Sequence, residues 1–251
     1  MKPKATIGGM KLIEKTPFST LVKSNRALAA LRRDYAARPA PERRIAADWE
    51  YHSQMASESI GIAMARSGKD CLGTSEWPQG FVALAIDPQY APALLTVGSI
   101  EYQVGHVKEA MTLFTQLVQL PKDEKDLSSI IDKAGDFLID QDDYENALAL
   151  YSAAERVWPD EVVYLLGVGY CLGKLGHHEE SVEKHRRVVA LEPDNYKHLS
   201  DLGFTLLEAG QFDEAEAVLQ KSISLAPATY QMARGNLIEL KKRRKRKTAA
   251  S

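Results

Sequence analysis

The side chains best suited to chemistry form one cluster, His177, His178, Glu179 and His185. His178 and His185 are two helical turns apart, so they would share one face of a helix and could ligate a metal ion together. Two histidines are too few ligands for a zinc site, and no HExxH, GxxxxGKS or GxSxG pattern occurs in the sequence. The sequence therefore predicts no catalytic residue, no metal site and no cofactor.

The elements that must carry these side chains recur every 34 residues, in units that begin at Ser128, Val162 and Tyr196. Each unit has a glycine at position 8, a leucine at position 11, a small residue at position 20 and a larger one at position 24. The residues at positions 8, 20 and 24 are Gly135, Gly169 and Gly203, then Ala147, Ser181 and Ala215, then Tyr151, His185 and Leu219. This spacing predicts pairs of helices that approach closely at the small residues, with larger side chains filling the space around them.

Turn residues separate the predicted helices. Gly176 and Gly210 occupy position 15, where a left-handed backbone conformation is inexpensive for glycine, and Asp142 takes that place in the first unit. Each unit ends in a proline, which stops the second helix. Asp160 and Asp194 follow two of these prolines, and we expect them to accept hydrogen bonds from free N–H groups at the next helix start.

The period and its fixed small residues resemble the tetratricopeptide repeat, a helix-turn-helix unit of 34 residues. The resemblance implies an all-α fold, a right-handed superhelical solenoid of such repeats with N-terminal extra helices and a C-terminal capping helix. Positions 17 and 24 normally carry aromatic packing residues in this family, so His178 and His185 are expected to replace them in the core. An ordinary helical bundle with coincidental spacing is the alternative.

The expected domains are a basic N-terminal segment with one helix, a degenerate first repeat with an inserted loop, four further repeats, a cap helix and a basic tail. Their bounds are 1–41, 42–90, 91–127, 128–161, 162–195, 196–227, 228–240 and 241–251. The N-terminal segment also resembles an organellar transit peptide in its scarcity of acidic residues, although lysine outnumbers arginine in its first half. A cap helix is the preferred interpretation.

Composition narrows the function classes. The chain of 251 residues is 45% hydrophobic and 26% charged, and no apolar run is long enough to span a bilayer, so we expect no membrane partner. Its two cysteines, Cys71 and Cys171, form no CxxC pair and favour a reducing compartment, the cytoplasm or, in a eukaryote, the nucleus. Cys171 is expected to be a packed hydrophobe.

Charge is segregated along the chain. The net charge is +8 over residues 1–44, −17 over 45–240 and +7 over 241–251. The basic tail contains seven consecutive cations, Lys241, Lys242, Arg243, Arg244, Lys245, Arg246 and Lys247. As a flexible end, this tail could contact nucleic acid, serve as a nuclear-import signal, keep the chain soluble, or mediate self-association with the acidic centre at low salt.

The resemblance places ligand contacts on the inner face of the first helices, at positions 2, 5, 9, 12 and 13. The peptide-binding residues predicted there are Tyr102, Gln103, Asp132, Asp136, Asp140, Tyr170, Lys174, Lys197 and Phe204. Family members that clamp a C-terminal carboxylate use Lys and Asn where this chain has Asp132, Asp136 and Gly167, so that ligand class is not expected. The sequence therefore predicts a non-enzymatic adaptor that holds a basic, partly apolar peptide. A nucleic-acid-associated protein that uses the basic termini is the alternative.

Overall fold

A computed structural model describes residue 84 and residues 87–103 and 105–249. The N-terminal helices, the degenerate first repeat and its inserted loop fall outside these residues. Within the described part, regular structure consists of nine helices and no strand. The helices are α1 (Ala91–Gln103), α2 (Val107–Val118), α3 (Leu127–Asp140), α4 (Tyr144–Val157), α5 (Val162–Lys174), α6 (His178–Leu191), α7 (Tyr196–Glu208), α8 (Phe212–Leu225) and α9 (Met232–Ala249).

The chain divides into two compact units between Ala134 and Gly135, within α3. In the first unit, α1 packs against α2. The Phe114 ring covers Gly98, where an added Cβ would lie 2.5 Å from the ring. In the second unit, each helix from α4 to α8 packs against the next one along the chain. In addition, α9 contacts α7. This nearest-neighbour packing confirms the all-α repeat fold and the cap helix at its end.

The small-against-large packing predicted at positions 8 and 24 is present in every repeat of the second unit. The Tyr151 ring lies against Gly135, the His185 ring against Gly169, and Leu219 against Gly203. Ala147, Ser181 and Ala215 at position 20 are all buried. Because a Cβ at any of these three glycines would overlap the facing side chain, the close approach of the paired helices requires glycine there.

The turns have the predicted backbone. Gly176 and Gly210 have φ of 84° and 74°, and Asp142 reaches 57° in the same role. The prediction that Asp160 and Asp194 cap the following helices is wrong. Asp160 Oδ1 accepts from Arg187 at 2.8 Å and Asp194 Oδ1 pairs with Lys221 at 3.3 Å. These carboxylates therefore join the end of one repeat to the second helix of the next one.

The N-cap position belongs instead to the residue that follows each of these aspartates, and one of the two side chains caps its helix. Asn195 Oδ1 accepts from the amide of Lys197 at the start of α7. Glu161 holds the corresponding place before α5 without a side-chain cap. A side chain one residue nearer the helix is better placed for the free amides, which leaves the aspartates available to the cations across the repeat boundary.

Candidate ligand-binding surface

The four residues considered as metal ligands are dispersed. His177 lies at the start of α6 with its Nδ1 3.3 Å from Glu180, and both side chains are exposed. Glu179 accepts instead from Gln211 at 2.6 Å. Within the described residues, no group of three or more His, Cys, Asp or Glu side chains is placed to hold a metal ion. The arrangement therefore provides no centre for metal chemistry in this part of the chain.

His185 is a core residue, as the sequence predicts. Its side chain is buried between α5 and α6, and its Nδ1 lies 2.9 Å from the carbonyl oxygen of Ser181. Burial lowers the pKa of His185, and this effect outweighs the hydrogen bond to Ser181 and the charge of Asp201, which act in the opposite direction. The imidazole therefore replaces an aromatic packing residue and resists protonation.

Cys171 also belongs to the core. Its side chain is buried in α5, and burial together with the nearby charge of Asp136 raises the pKa of the thiol to about 12. Since the thiolate is the reactive form of cysteine, this side chain is inert at neutral pH. Its predicted role as a small packed hydrophobe is confirmed.

Three of the predicted ligand contacts belong to the first unit. Tyr102 and Gln103 are the last residues of α1, the tyrosine partly exposed and the glutamine exposed. Asp132 is partly exposed on α3. Sequence reasoning missed a polar pair between α1 and the start of α2, where fully buried Glu101 lies 2.6 Å from Nδ1 of partly exposed His106. Glu101 occupies position 11, which is leucine in the three later repeats, so only that break in the pattern could have revealed it.

In the second unit, the acidic contacts lie on the last two turns of α3. Asp136 and Asp140 are exposed and four residues apart, so they lie on the same side of the helix. Asp136 Oδ1 accepts from the hydroxyl of buried Tyr151 at 3.3 Å, so this carboxylate also holds a core side chain in place. The surface of α3 here is therefore negatively charged, and one of its two carboxylates is held in place by a hydrogen bond from the core.

The aromatic contacts follow on α5 and α7. Tyr170 and Phe204 both occupy position 9, and their side chains are 44% and 48% exposed. By contrast, Tyr151 and Tyr164 are each 1% exposed. The backbone amide of Lys197 is used in the cap of α7, while its side chain is exposed. Two repeats in succession thus present an aromatic ring to solvent at the same position of the first helix.

Lys174 contacts two aromatic rings on this surface. Its Nζ lies 5.3 Å from the ring centroid of Tyr170 and 5.7 Å from that of Tyr144, and the two ring centroids are 6.4 Å apart. The hydroxyl of Tyr144 donates to Asp142 Oδ1 at 2.7 Å, which raises the pKa of Tyr144 to about 12. The sequence did not indicate Tyr144 as part of the surface, because it belongs to a second helix and reaches Tyr170 only through packing of α4 on α5.

The predicted basic tail is helical through most of its length. α9 continues without a break to Ala249, beyond the expected end of the cap at 240. Arg243 pairs with Glu208 at 2.8 Å and Glu239 at 3.3 Å, and Arg244 pairs with Asp213 at 2.8 Å and Glu216 at 2.7 Å. The flexible end expected from composition is therefore wrong for this segment, because acidic side chains of the last repeat hold two of its cations.

The remaining cations of the run divide between two sides of α9. Lys247 lies over the ring of Phe212, with Nζ 5.5 Å from its centroid. Lys241, Lys242, Lys245 and Arg246 are exposed, and their spacing places them together on one side of the helix.

None of the helices in the described part has the length and hydropathy that a bilayer crossing requires.

Comparison with known proteins gives one family match and several similar solved structures. Residues 174–237 match a family model described as "Tetratricopeptide repeat". No curated protein matches the sequence significantly. Among solved structures, the chain resembles YrrB, described as a TPR protein with an unusual peptide-binding site, at 16% identity and a TM-score of 0.48 over 87% of this chain and 96% of that one.

Two other solved structures give similar values. MamA residues 41 to the end from Desulfovibrio magneticus RS-1 is 18% identical, with a TM-score of 0.46 over 69% of this chain and 94% of that one. TTC0263, a thermophilic TPR protein from Thermus thermophilus, is 23% identical, with a TM-score of 0.43 over 74% of this chain and 99% of that one.

Proposed function

We propose that this chain, which carries tetratricopeptide repeats, is a non-enzymatic adaptor that holds a basic, partly apolar segment of another protein. The contact surface lies on the first helices of the second unit. It comprises Asp136, Asp140, Tyr170, Lys174, Lys197 and Phe204. The proposed surface does not include the three residues of the first unit that the sequence predicts as contacts, Tyr102, Gln103 and Asp132. The observation that carries the proposal is the repeated exposure of an aromatic ring at position 9.

Exposed rings at Tyr170 and Phe204 are a signal of binding because aromatic side chains supply much of the affinity at protein interfaces. An isolated exposed hydrophobe would carry little information. Here two rings recur at equivalent positions of consecutive repeats, and stacked repeats commonly bind ligands along such a surface. The apolar part of the ligand would cover these rings.

Charge selects the rest of the ligand. Asp136 and Asp140 are exposed on α3, and residues 45–240 carry a net charge of −17. Such a surface attracts basic segments and repels acidic ones. A ligand held by its C-terminal carboxylate does not fit, since Gly167 lies against Tyr151, and a Cβ added there would be 2.6 Å from the ring. The asparagine that such a clamp requires cannot be accommodated at this position.

The apolar part of the proposal is tested with a labelled peptide of alternating lysine and leucine, followed by fluorescence anisotropy. The double variant Tyr170→Ser with Phe204→Ser should bind the peptide at least about tenfold more weakly, because it removes two interface rings. The matched control is Leu191→Ser with Leu225→Ser, which removes hydrophobes of similar exposure, 42% and 43%, from the ends of α6 and α8. Equal affinities for the two double variants would place the binding surface elsewhere.

The charge part is tested with Asp136→Asn and Asp140→Asn, alone and together. Asparagine keeps an oxygen that accepts from the Tyr151 hydroxyl, so the core contact of Asp136 survives the substitution. We expect weaker binding of the basic peptide, a smaller dependence on salt, and no binding of a glutamate-leucine peptide by the wild type. Unchanged affinity in the double asparagine variant would exclude this surface as the source of charge selectivity.

A second candidate function, association with nucleic acid, is favoured by the exposed cations on one side of α9. Lys241, Lys242, Lys245 and Arg246 would contact phosphates, with Lys242 also 4.0 Å from Glu239, whereas Arg243 and Arg244 each have two carboxylate partners. Binding of a single-stranded RNA oligonucleotide that falls steeply with salt and is lost on Lys242→Gln with Arg246→Gln would support this candidate. Retained RNA binding in that variant would exclude the side of α9 as the contact.

A further inference from the structure

We propose that Tyr144 and Tyr170 form an aromatic site for one cationic side chain of the partner, a lysine or an arginine, and that Lys174 occupies this site in the free protein. The inference rests on the proposed function and specifies which contact recognises the basic part of the ligand. It concerns the second unit alone.

The geometry is that of a cation held by two rings. The ring centroids of Tyr144 and Tyr170 are 6.4 Å apart, and their planes meet at 60°, so the rings lie next to each other, edge to face. Lys174 Nζ lies 5.7 and 5.3 Å from the two centroids, within the range of about 6 Å over which a cation is attracted to an aromatic face. An ammonium group is therefore already present where the partner's cation would be placed.

The surrounding charges favour a cation. Asp142 accepts from the Tyr144 hydroxyl at 2.7 Å, and Asp136 and Asp140 are exposed on the preceding helix. Asp142 is the carboxylate bonded to this ring pair, and Lys174 is the cation that contacts both rings. Asp142 would repel an anionic ligand, whereas a cationic side chain that displaces Lys174 would keep the local charges balanced.

The same contact recurs at the end of the array. Tyr144 and Phe212 both occupy position 17, and each ring faces a cation, Lys174 in one case and Lys247 in the other. The corresponding residue between them is His178. The Tyr196–Tyr230 pair differs, because its centroids are only 4.9 Å apart and both rings are partly buried. The Tyr144–Tyr170 pair is wider, and Tyr170 is 44% exposed, so a cation can reach it.

If Lys174 competes with the partner's cation, removing it should increase affinity. Lys174→Met keeps the apolar stem over the rings and removes the ammonium group, so the basic lysine-leucine peptide should bind about 2- to 5-fold more tightly. Tyr144→Leu and Tyr170→Leu keep apolar area but remove a ring, and each should weaken binding by a similar factor. In the Tyr144→Leu background, Lys174→Met should give no more than the gain that follows from losing one positive charge, as measured with Lys245→Met.

General electrostatics must be separated from the specific site, since any lost positive charge favours a basic ligand. Lys245→Met is the matched control, because Lys245 is an exposed cation on α9. A gain for Lys174→Met that exceeds the gain for Lys245→Met and depends on Tyr144 supports the proposal. Equal gains in the two methionine variants, or a loss in Lys174→Met, overturns it.

The peptide itself supplies a second test. The lysines of the peptide are replaced one at a time by norleucine. At one position this replacement should abolish the gain in affinity that Lys174→Met otherwise gives, because the lysine at that position contacts the two tyrosine rings. If no position does so, the tyrosine pair is not a cation site. The adaptor proposal still stands if Tyr170→Ser with Phe204→Ser weakens binding, and it fails as well if the wild type binds no basic peptide.

Discussion

The interior of the repeats and the C-terminal end of the second unit are stabilised in different ways. Among the interior repeats, buried side chains fill space left by glycine, as where the Tyr151 ring lies against Gly135 of its own repeat and Gly167 of the next one. At the end, α9 buries Ala233 and Leu240 against the last repeat, and ion pairs of Arg243 and Arg244 extend the contact along the helix. Ion pairs also link neighbouring repeats, for example Arg187 with Asp160 at 2.8 Å, so the two regions differ in the close packing at the glycines rather than in the presence of charge.

The difference indicates where the fold is strong. Close packing at the glycines depends on shape, so a single added side chain is costly and dissolved salt has little influence. Partly exposed ion pairs contribute typically about 0.2–1 kcal/mol each and are screened by salt. Among the described helices, α9 packs against α7 and α8. We therefore expect α9 to open before the interior repeats.

The largest effect should come from filling the space at an interior glycine. Gly169→Leu should lower the free energy of unfolding by about 1–3 kcal/mol, because the new side chain overlaps His185 and forces the two helices apart. Ala147→Leu, at a fully buried position, should behave in the same way. Urea and thermal unfolding would measure both variants.

Gly235→Leu is the control for this prediction. Gly235 also lies inside a helix, but an added Cβ there has no neighbour within 4 Å. Leucine should therefore be neutral or increase the free energy of unfolding by up to about 0.8 kcal/mol through its better helix propensity. If Gly169→Leu and Gly235→Leu melted at the same temperature, the assigned contact between positions 8 and 24 would be wrong.

Truncation compares the apolar and the charged parts of the terminal helix. Deleting residues 228–251 removes the whole cap and exposes the buried surface around Leu207 and Leu219, so the protein should aggregate. Deleting only 241–251 should leave it folded, with a lower melting temperature because the ion pairs of Arg243 and Arg244 are lost. Light scattering and size-exclusion chromatography would distinguish the two outcomes, and identical behaviour would contradict the role assigned to 228–240.

Point substitutions isolate the charges. Arg243→Gln with Arg244→Gln should reduce the free energy of unfolding by about 1 kcal/mol at low salt, since each arginine has two carboxylate partners. In 1 M salt the Debye length is about 3 Å, so the difference from the wild type should nearly vanish. Lys241→Gln with Lys245→Gln is the control of equal charge on exposed positions. A difference that persists at high salt would mean that these arginines act through packing.

The repeated interior could be predicted from the sequence because its requirements are local and recur at a fixed spacing. Close helix packing requires glycine at position 8 opposite a large residue at position 24, and a left-handed turn favours Gly or Asp at position 15. Both requirements are visible as residue types that recur at a fixed spacing. Gly176, Gly210 and Asp142 adopt that turn, and His185 packs where an aromatic residue was expected. Three repeats that agree with one another made the register unambiguous.

The charged contacts could not be predicted in the same way. The sequence offers Asp160 two kinds of hydrogen-bond donor, the free amides at the start of α5 and the guanidinium group of Arg187. Only the folded geometry decides between them, and it favours Arg187. Arg244 reaches Asp213, 31 residues earlier, and nothing in the local pattern specifies that pair. Tyr144 joined the candidate surface for the same reason, because its neighbour Lys174 lies in the next repeat. Such contacts depend on which long side chains meet, and several arrangements have similar energies.

The smallest expected effect concerns pH and tests whether the interior contains a titrating group. The lowered pKa of buried His185 means that, below pH 6.5, the unfolded chain binds a proton that the folded protein does not. The free energy of unfolding is therefore unaffected by this group above about pH 6.5 and decreases as pH falls from 6.5 towards the pKa of the folded state. His185→Leu, which copies Leu219 of the next repeat, should remove this decrease while retaining the contact with Gly169. Urea unfolding at pH 7.5, 6.5 and 5.5 would measure it, and an equal pH dependence in the wild type and in His185→Leu would assign the effect to other groups. A decrease that is present in the wild type and absent in His185→Leu would show that protonation of this buried imidazole destabilises the interior at low pH.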